Sequence, residues 1–437
     1  MTSTELATAA GTPEVFAGVD WGGAFHQLCL VDSTGATLLQ KRFPHTVEGL
    51  AGLCAALAAV AGVVRVAIER AEGLLVERLL ELAVEVYCIS PKVSARSRER
   101  YRMAAKKSDA FDAFVLADSL RHEHTHWRPI RPASQTLMRL RAVIRDRERL
   151  VWRQRDLENQ LRAVMESYNP AVLHLFSSLD RDISLQFIRR YPQPAQAARV
   201  GVKRMDAFIT AHGYSGRTSA ETLVERLRPH LLAAGEGTSA GRAFTAVRMA
   251  EELSLLNGHL REYDTEIQAL LAAHPDTRIF TAFPGVGPVT AATLLAGMGE
   301  DRDRYPSAAS LLAETGLAPV TRASGRTRQV RFRYAANKRM RHAIDWWAFV
   351  AVREDPHFTG EHYRRARAAG QGHHRALRGV AARWVRILWR CWHDRTEYDP
   401  ALHPLRRQAL EAADHAQDTG PIPQRTAEEH LALPAAS

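Results

Sequence analysis

Val15-Phe16-Ala17-Gly18-Val19-Asp20-Trp21-Gly22 reads as a short buried strand that ends on a carboxylate and enters a tight turn of small residues. A second alternating apolar run follows from His26 to Val31, and a third from Thr37 to Phe43. A single Asp after a strand most often only starts a turn. What Asp20 does therefore depends on whether the chain supplies it with partners.

The next stretch supplies them. Val47 to Ala61 has helical composition, and Val63-Val64-Arg65-Val66-Ala67-Ile68 returns to β-branched alternation, with Glu69 at its end. Gly73 to Leu82 reads as helix, and Val84 to Ile89 as a strand ended by Ser90-Pro91. A basic segment, Lys92 to Lys107, leads to Ser108, a good N-cap for a helix with Asp109 in its first turn. The order β-β-β-α-β-α-β-α is that of an α/β RNase H-like (RuvC-like) fold. Adjacent parallel strands would bring Asp20 and Glu69 to one sheet edge, and Asp109 and Asp112, three apart, share a helical face. Taken alone, Asp109 and Asp112 are also what first-turn capping acids on a surface helix look like. Four carboxylates from three elements suit hard cations such as Mg²⁺ and the metal-assisted cleavage of phosphodiesters.

Charge points to a polyanionic partner. The 437-residue chain has a formal net charge of +11, yet residues 322–392 alone hold 17 Lys/Arg against 4 Asp/Glu. The remainder is close to neutral, so the excess is concentrated in one binding surface. An apolar share of 46% excludes global disorder. Cys29, Cys54, Cys88 and Cys391 are far apart and form no Cys-x-x-Cys pair, which argues against zinc or a disulfide framework. Glu5 with no basic, apolar leader behind it argues against a signal peptide. The longest uncharged run, Gly49 to Val64, is too short to span a bilayer. A cytoplasmic, nucleoid-associated protein with no membrane partner is the expectation.

Arg121-His122-Glu123-His124-Thr125-His126 alternates histidines, which fits either a metal-binding segment or a polar connector into Pro129 and Pro132. Ser134 to Tyr168 is a long charged helix with an apolar stripe from Leu137 to Tyr168, interrupted at Arg147 and Gln154. A second helix, about Ser239 to Ala273, would return antiparallel to it, giving an imperfect coiled coil for spacing or oligomerisation. The expected division is 1–130, a catalytic domain; 131–275, a helical arm; 276–395, a mainly α domain; and 396–437, a poorly ordered tail.

Phe283-Pro284-Gly285-Val286-Gly287-Pro288 has the pattern of a helix-hairpin-helix DNA binder, whose glycines let backbone N–H groups approach a phosphate; a tight turn between packed helices fits it equally. Arg322, Arg326, Arg328, Arg331, Arg333, Lys338, Arg339 and Arg341 are, with Gly285 and Gly287, the expected nucleic-acid contacts. Trp346 and Trp347 fall in an amphipathic helix and are expected in the core.

Gly18-Val19-Asp20, the strand-terminal Glu69 and Lys107-Ser108-Asp109-x-x-Asp112-Ala113 resemble the DEDD motif of bacterial insertion-sequence transposases of family one-hundred-and-ten, relatives of the Piv-type DNA invertases. Phe283 to Pro288, Gly316-Leu317-Ala318-Pro319 and Ser324-Gly325 resemble that family's C-terminal transposase domain. The resemblance implies a recombinase that cuts and rejoins DNA through a serine–phosphate intermediate. Ser324 is then the nucleophile, and Asp20, Glu69, Asp109 and Asp112 hold Mg²⁺. It further implies a bridge-type non-coding RNA that pairs with donor and target DNA. Family members act as tetramers whose active sites join the acidic domain of one subunit to the serine domain of another. By itself Ser324 is an ordinary turn serine with Thr321 and Thr327 as competitors, and the Arg-Thr-Arg that follows replaces a more glycine-rich turn. Two other classes stay open: an Mg²⁺-dependent nuclease or resolvase in which water attacks, and a nucleic-acid-binding scaffold with a decayed site.

Overall fold

The computed structural model describes residues 13–101 and 108–402. Glu5, Lys107 and the tail from 403 onward lie outside them. Within the described residues the chain forms two compact units, divided between Ala133 and Ser134.

The first unit is built on five strands: β1 (Glu14–Trp21), β2 (Phe25–Asp32), β3 (Thr37–Pro44), β4 (Val63–Ile68) and β5 (Glu85–Cys88). They lie in the order β3-β2-β1-β4-β5, with β1–β2 and β2–β3 antiparallel and β1–β4 and β4–β5 parallel. The helices between and after them are α1 (Val47–Ala58), α2 (Leu74–Leu80), α3 (Pro91–Glu99) and α4 (Asp109–Glu123). Both faces of β1 are covered, which is why its sequence is a continuous apolar run. One face carries Val15, Ala17 and Val19, packed with Val64, Val66 and Ile68 and the leucines of α1 and α2. The other carries Phe16, Ala67 and Tyr87 beneath Ala113, Leu116, Ala117 and Leu120 of α4. Helix α3 arises inside the segment read above only as basic: Ser90 caps it through its hydroxyl, and Pro91 stands where a helix needs no N–H.

The second unit opens with α5 (Gln135–Tyr168), capped by Ser134. Short helices α6 (Asp182–Arg190), α7 (Pro194–Ala198), α8 (Val202–Ala211) and α9 (Ala220–Leu227) follow, and then the long α10 (Glu236–Ala273). Helices α5 and α10 run antiparallel: Arg139 pairs with Glu266, Arg147 with Asp264 and Arg153 with Glu252. The two polar interruptions are satisfied across this interface, Arg147 by that ion pair and Gln154 by donating to Asn257 at 2.7 Å. The far ends of both helices do not continue as a coiled coil. Leu157 to Tyr168 and Ala243 to Leu256 instead share one core with α6, α8 and α9, making a helical head.

The rest comprises α11 (Thr277–Thr281), α12 (Pro288–Met298), α13 (Ala308–Glu314), the hairpin β6 (Val320–Ser324) and β7 (Thr327–Arg331), α14 (Lys338–Glu354), α15 (Glu361–Ala368) and α16 (His373–Asp394). Trp347, Trp384 and Trp392 are fully buried here. Trp346 is not in the core: it is 60% exposed, while its neighbour Trp347 turns inward. The folded region also runs past 395, since Tyr398 is buried and stacks on Phe283. No helix among the described residues is long and apolar enough to cross a membrane.

Candidate active site

The parallel register of β1 and β4 ends at Val19 opposite Ile68, so Asp20 and Glu69 are the next residue of each strand at the same sheet edge. Strand alternation assigns both to the face that α4 covers, the face of Phe16 and Ala67. Gly18 sets how close that helix comes. A Cβ there would lie 1.9 Å from the Ala113 carbonyl oxygen and 2.6 Å from the Ala117 nitrogen. Phe16, two residues back, meets His124 at the far end of the helix region, with ring centroids 5.3 Å apart. Helix α4 thus runs with its C-terminal end over the start of β1 and its N-terminal turn toward Asp20.

That turn carries the other two acids, and they do not behave alike. Asp112 is buried and accepts from Arg98 Nη1 of α3 at 2.8 Å. Asp109, one turn earlier, is exposed. Asp20 and Glu69 are each half-buried. Among the described residues no three His, Cys, Asp or Glu side chains stand close enough together to hold an ion. The donor set suits a hard divalent cation in chemical type. With Arg98 in place, however, Asp112 is already charge-compensated. Arg98 is the residue the sequence reading missed, and its only signal was its place in the basic segment.

The histidine alternation at 122–126 has a structural role. His122 Nδ1 bonds the Asp118 carbonyl oxygen at 2.8 Å, and His124 Nδ1 reaches the Arg121 carbonyl at 3.3 Å. Asp118, buried in α4, is held by the Tyr101 hydroxyl and by Arg121. Burial pushes the Cys29 thiol up to about 11, which removes it as a nucleophile at neutral pH.

Ser324 lies in the second unit, at the end of β6. The hairpin turns through Gly325 and Arg326, and Gly325 has φ +54°, a conformation that favours glycine. Beyond Val320 every residue of both strands is exposed. Register places Arg322, Ser324, Thr327, Gln329 and Arg331 on one face, with Thr321, Ala323, Arg328 and Val330 on the other. Thr327 Oγ1 donates to the Ser324 carbonyl at 2.8 Å, whereas the Ser324 hydroxyl makes no hydrogen bond among the described residues.

Not all of the expected nucleic-acid contacts face solvent. Arg333 donates to the Ala318 carbonyl at 3.1 Å, and Arg341 to those of Thr315 and Arg333. Arg339 is paired with Glu148 of α5 at 2.6 Å. These three guanidiniums hold the loops and helices together. Gly285, at φ +74°, packs against the backbone of α14, where a Cβ would lie 2.9 Å from the Ala351 nitrogen. Tight packing therefore accounts for this glycine. Gly287 at the start of α12 has open space around it, and Arg322, Arg326, Arg328, Arg331 and Lys338 are exposed.

The DEDD-type IS110 transposase profile matches residues 17–170, and the profile of the transposase IS116/IS110/IS902 family matches residues 277–364. A Streptomyces coelicolor mini-circle protein named as a transposase for IS117 is 34% identical over 414 residues, covering 90% of this chain and 98% of its own. The chain belongs to the IS110 family of transposases. Other members align over most of their length. The 42 kDa protein of IS900 from Mycobacterium paratuberculosis is 28% identical, covering 89% of this chain and 98% of its own. The 43.6 kDa protein of IS110 from Streptomyces coelicolor is 27% identical, covering 89% and 96%. As an IS110-family transposase the protein is an enzyme whose substrate is DNA. The first profile takes in most of the sheet, α4 and all of α5; the second takes in the hairpin and α14.

Proposed function

We propose that this IS110-family transposase cuts and rejoins DNA through a covalent serine–phosphate intermediate, with Ser324 as nucleophile. The observation that carries this reading is the hairpin: Ser324 shares an exposed face with Arg322 and Arg331, and among the described residues its hydroxyl makes no hydrogen bond, whereas Thr327 on the same face donates to the Ser324 carbonyl. Its Oγ attacks a phosphodiester phosphorus, a P–Oγ bond forms, and the displaced sugar oxygen leaves and takes up the proton. Attack by a new sugar hydroxyl on that phosphoserine reverses the step and joins a different end. Because the exchange conserves phosphoester bonds, no outside energy source is needed. A serine hydroxyl needs activation, and Arg322 and Arg331, on the same face of the hairpin as Ser324, with Arg326 in the turn, supply charge for the developing phosphorane.

The N-terminal unit is an RNase H-like domain in this reading, and Asp20, Glu69, Asp109 and Asp112 would hold Mg²⁺ once drawn together. The support is the shared sheet edge of Asp20 and Glu69 and the direction of α4 above it. A bound Mg²⁺ supplies Lewis-acid stabilisation of phosphate charge. For Asp112 to join it, Arg98 must be displaced. A bridge-type RNA that selects the DNA sites, and a tetramer acting at the nucleoid in the cytoplasm, complete the proposal by analogy with the family.

Incubating the protein with its nucleic-acid partners and resolving the products on a denaturing gel tests the central step. Ser324→Ala should abolish covalent protein–DNA adducts, by more than about a thousandfold as expected for loss of a nucleophile, with DNA binding retained. Thr327→Ala should keep the adducts. Adducts that persist in Ser324→Ala move the nucleophile elsewhere. Free cut ends in Mg²⁺, insensitive to Ser324→Ala, would instead identify a hydrolytic nuclease, and full activity in Asp20→Asn would leave the acids without a catalytic role. RNA that co-purifies with the protein and matches the DNA flanking its element is expected; its absence removes the guide from the proposal.

A further inference from the structure

The helical head between the two profile-matched stretches carries an open cleft of about 390 Å³, lined chiefly by Arg190, Tyr191, Arg204, Phe208 and His212. It lies where the end of α6 meets α8. Residues 181–217 hold seven Lys/Arg against two Asp/Glu, a second basic surface in a part of the chain otherwise near neutral. Several arginines on the neighbouring long helices and beyond are paired with acids, as Arg139, Arg147, Arg153 and Arg302 are. Arg190 and Arg204 have no carboxylate partner among the described residues. Arg190 Nε donates to the Tyr191 hydroxyl at 3.4 Å and Arg204 Nη1 to the Arg199 carbonyl at 3.0 Å, which fixes both at the rim with their charge uncompensated. Helices α6 and α8 both end here, and the partial negative charge of two C-termini would by itself repel an anion. Two full positive charges reverse that sign.

The rest of the lining is aromatic. The Phe208 ring lies 4.6 Å from that of His212 and 6.1 Å from that of Tyr191, and Arg190 sits over Tyr191 at 5.8 Å. Guanidiniums beside π-faces are the combination that holds a phosphate and an unstacked base together. Inorganic phosphate would use only the rim. A duplex keeps its bases stacked and could not offer one to the aromatic wall.

We infer that this cleft binds one nucleotide of a single-stranded nucleic acid, its phosphate between Arg190 and Arg204 and its unpaired base against Tyr191 and His212. The inference rests on the chain being a DNA transposase and does not depend on the role of Ser324. Either an RNA or a displaced DNA strand has the required chemistry.

The test uses the full chain and short single strands that carry 4-thiouridine in RNA or 4-thiothymidine in DNA. After irradiation, the crosslinked peptides are mapped by mass spectrometry. Crosslinks to Tyr191 or His212 are expected from single strands and not from the same sequence in a duplex. In Arg190→Ala/Arg204→Ala, folded by circular dichroism, their yield should fall about tenfold and the salt dependence of the remainder should flatten. Tyr191→Leu should lower the yield about fivefold with the salt dependence unchanged. Whichever strand crosslinks more efficiently is the natural occupant. Crosslinks confined to the basic C-terminal region, equal yield from duplex, or yields unchanged in the folded double variant would each overturn the inference. Ser324→Ala should leave the crosslinks intact, so a failure of the serine mechanism and a failure of this site are separable.

Discussion

At Gly18 the missing side chain decides where an entire helix sits. A methyl group there meets the carbonyl of Ala113 and the amide of Ala117, both backbone atoms of α4 that no rotamer change can move. Overpacking of this kind costs about 3 kcal/mol. Gly18→Ala should therefore lower the denaturant midpoint of the N-terminal unit. It should also reduce DNA cleavage more than DNA binding, because α4 carries Asp109 and Asp112 away from Asp20. Unchanged stability in Gly18→Ala would mean that α4 does not rest on β1. Arginine shows the same point in another way. Arg98, Arg333, Arg339 and Arg341 each found a partner inside the protein, while Arg322, Arg326 and Arg328 stayed on an exposed hairpin. Sequence alone cannot separate these two groups, since a guanidinium can reach a carbonyl or carboxylate several ångströms from its own backbone.

Among the elements, the α5–α10 pair shows how polar residues set the register of a helical interface. Gln154 donates to Asn257, and Asn257 in turn donates to the Asp180 carbonyl at 2.7 Å and to Asp182 at 3.0 Å. This chain of bonds ties the helical head to both long helices at one height. Asn257→Leu should destabilise by about 2 kcal/mol, because it leaves a buried amide and a backbone carbonyl unpaired. Gln154→Leu should cost less, and the double variant less than the sum of the two. Thermal unfolding of all four proteins measures this, and strict additivity would show that the Gln154–Asn257 bond contributes nothing. The β6–β7 hairpin is the opposite case. Two exposed strands have little packing of their own, and they carry Arg322 on β6 and Arg328 and Arg331 on β7 into solvent.

For the whole molecule, the acids and Ser324 stand on two separately folded units. The family analogy has each active site drawing its acids from one subunit and its serine from another. Mixing Asp20→Asn with Ser324→Ala should then restore part of the activity that each lacks alone, because some sites pair an intact acidic unit with an intact serine. If the mixture stays inactive although both proteins assemble, acids and serine must come from the same chain. Net charge works at this scale as well. The basic surface of the C-terminal region and the smaller one on the helical head are separated in the sequence by residues 218–321, which hold 8 Lys/Arg against 13 Asp/Glu, so the positive charge falls in two distinct places.

The order of the five N-terminal strands and of α1, α2 and α4 among them, the carboxylates at the ends of β1 and β4, the cap at Ser108 and the two long helices were determined by the sequence itself. Strand alternation, helical spacing and capping are local properties, expressed within a few residues of one another. Only the tertiary structure decided that α4 lies directly on Gly18, that Asp112 is neutralised by Arg98, that Gly285 makes room for α14, and that Trp346 faces out while Trp347 is buried. Each of those outcomes depends on a group distant in sequence arriving within a few ångströms, and close packing leaves only one arrangement in which both can fit.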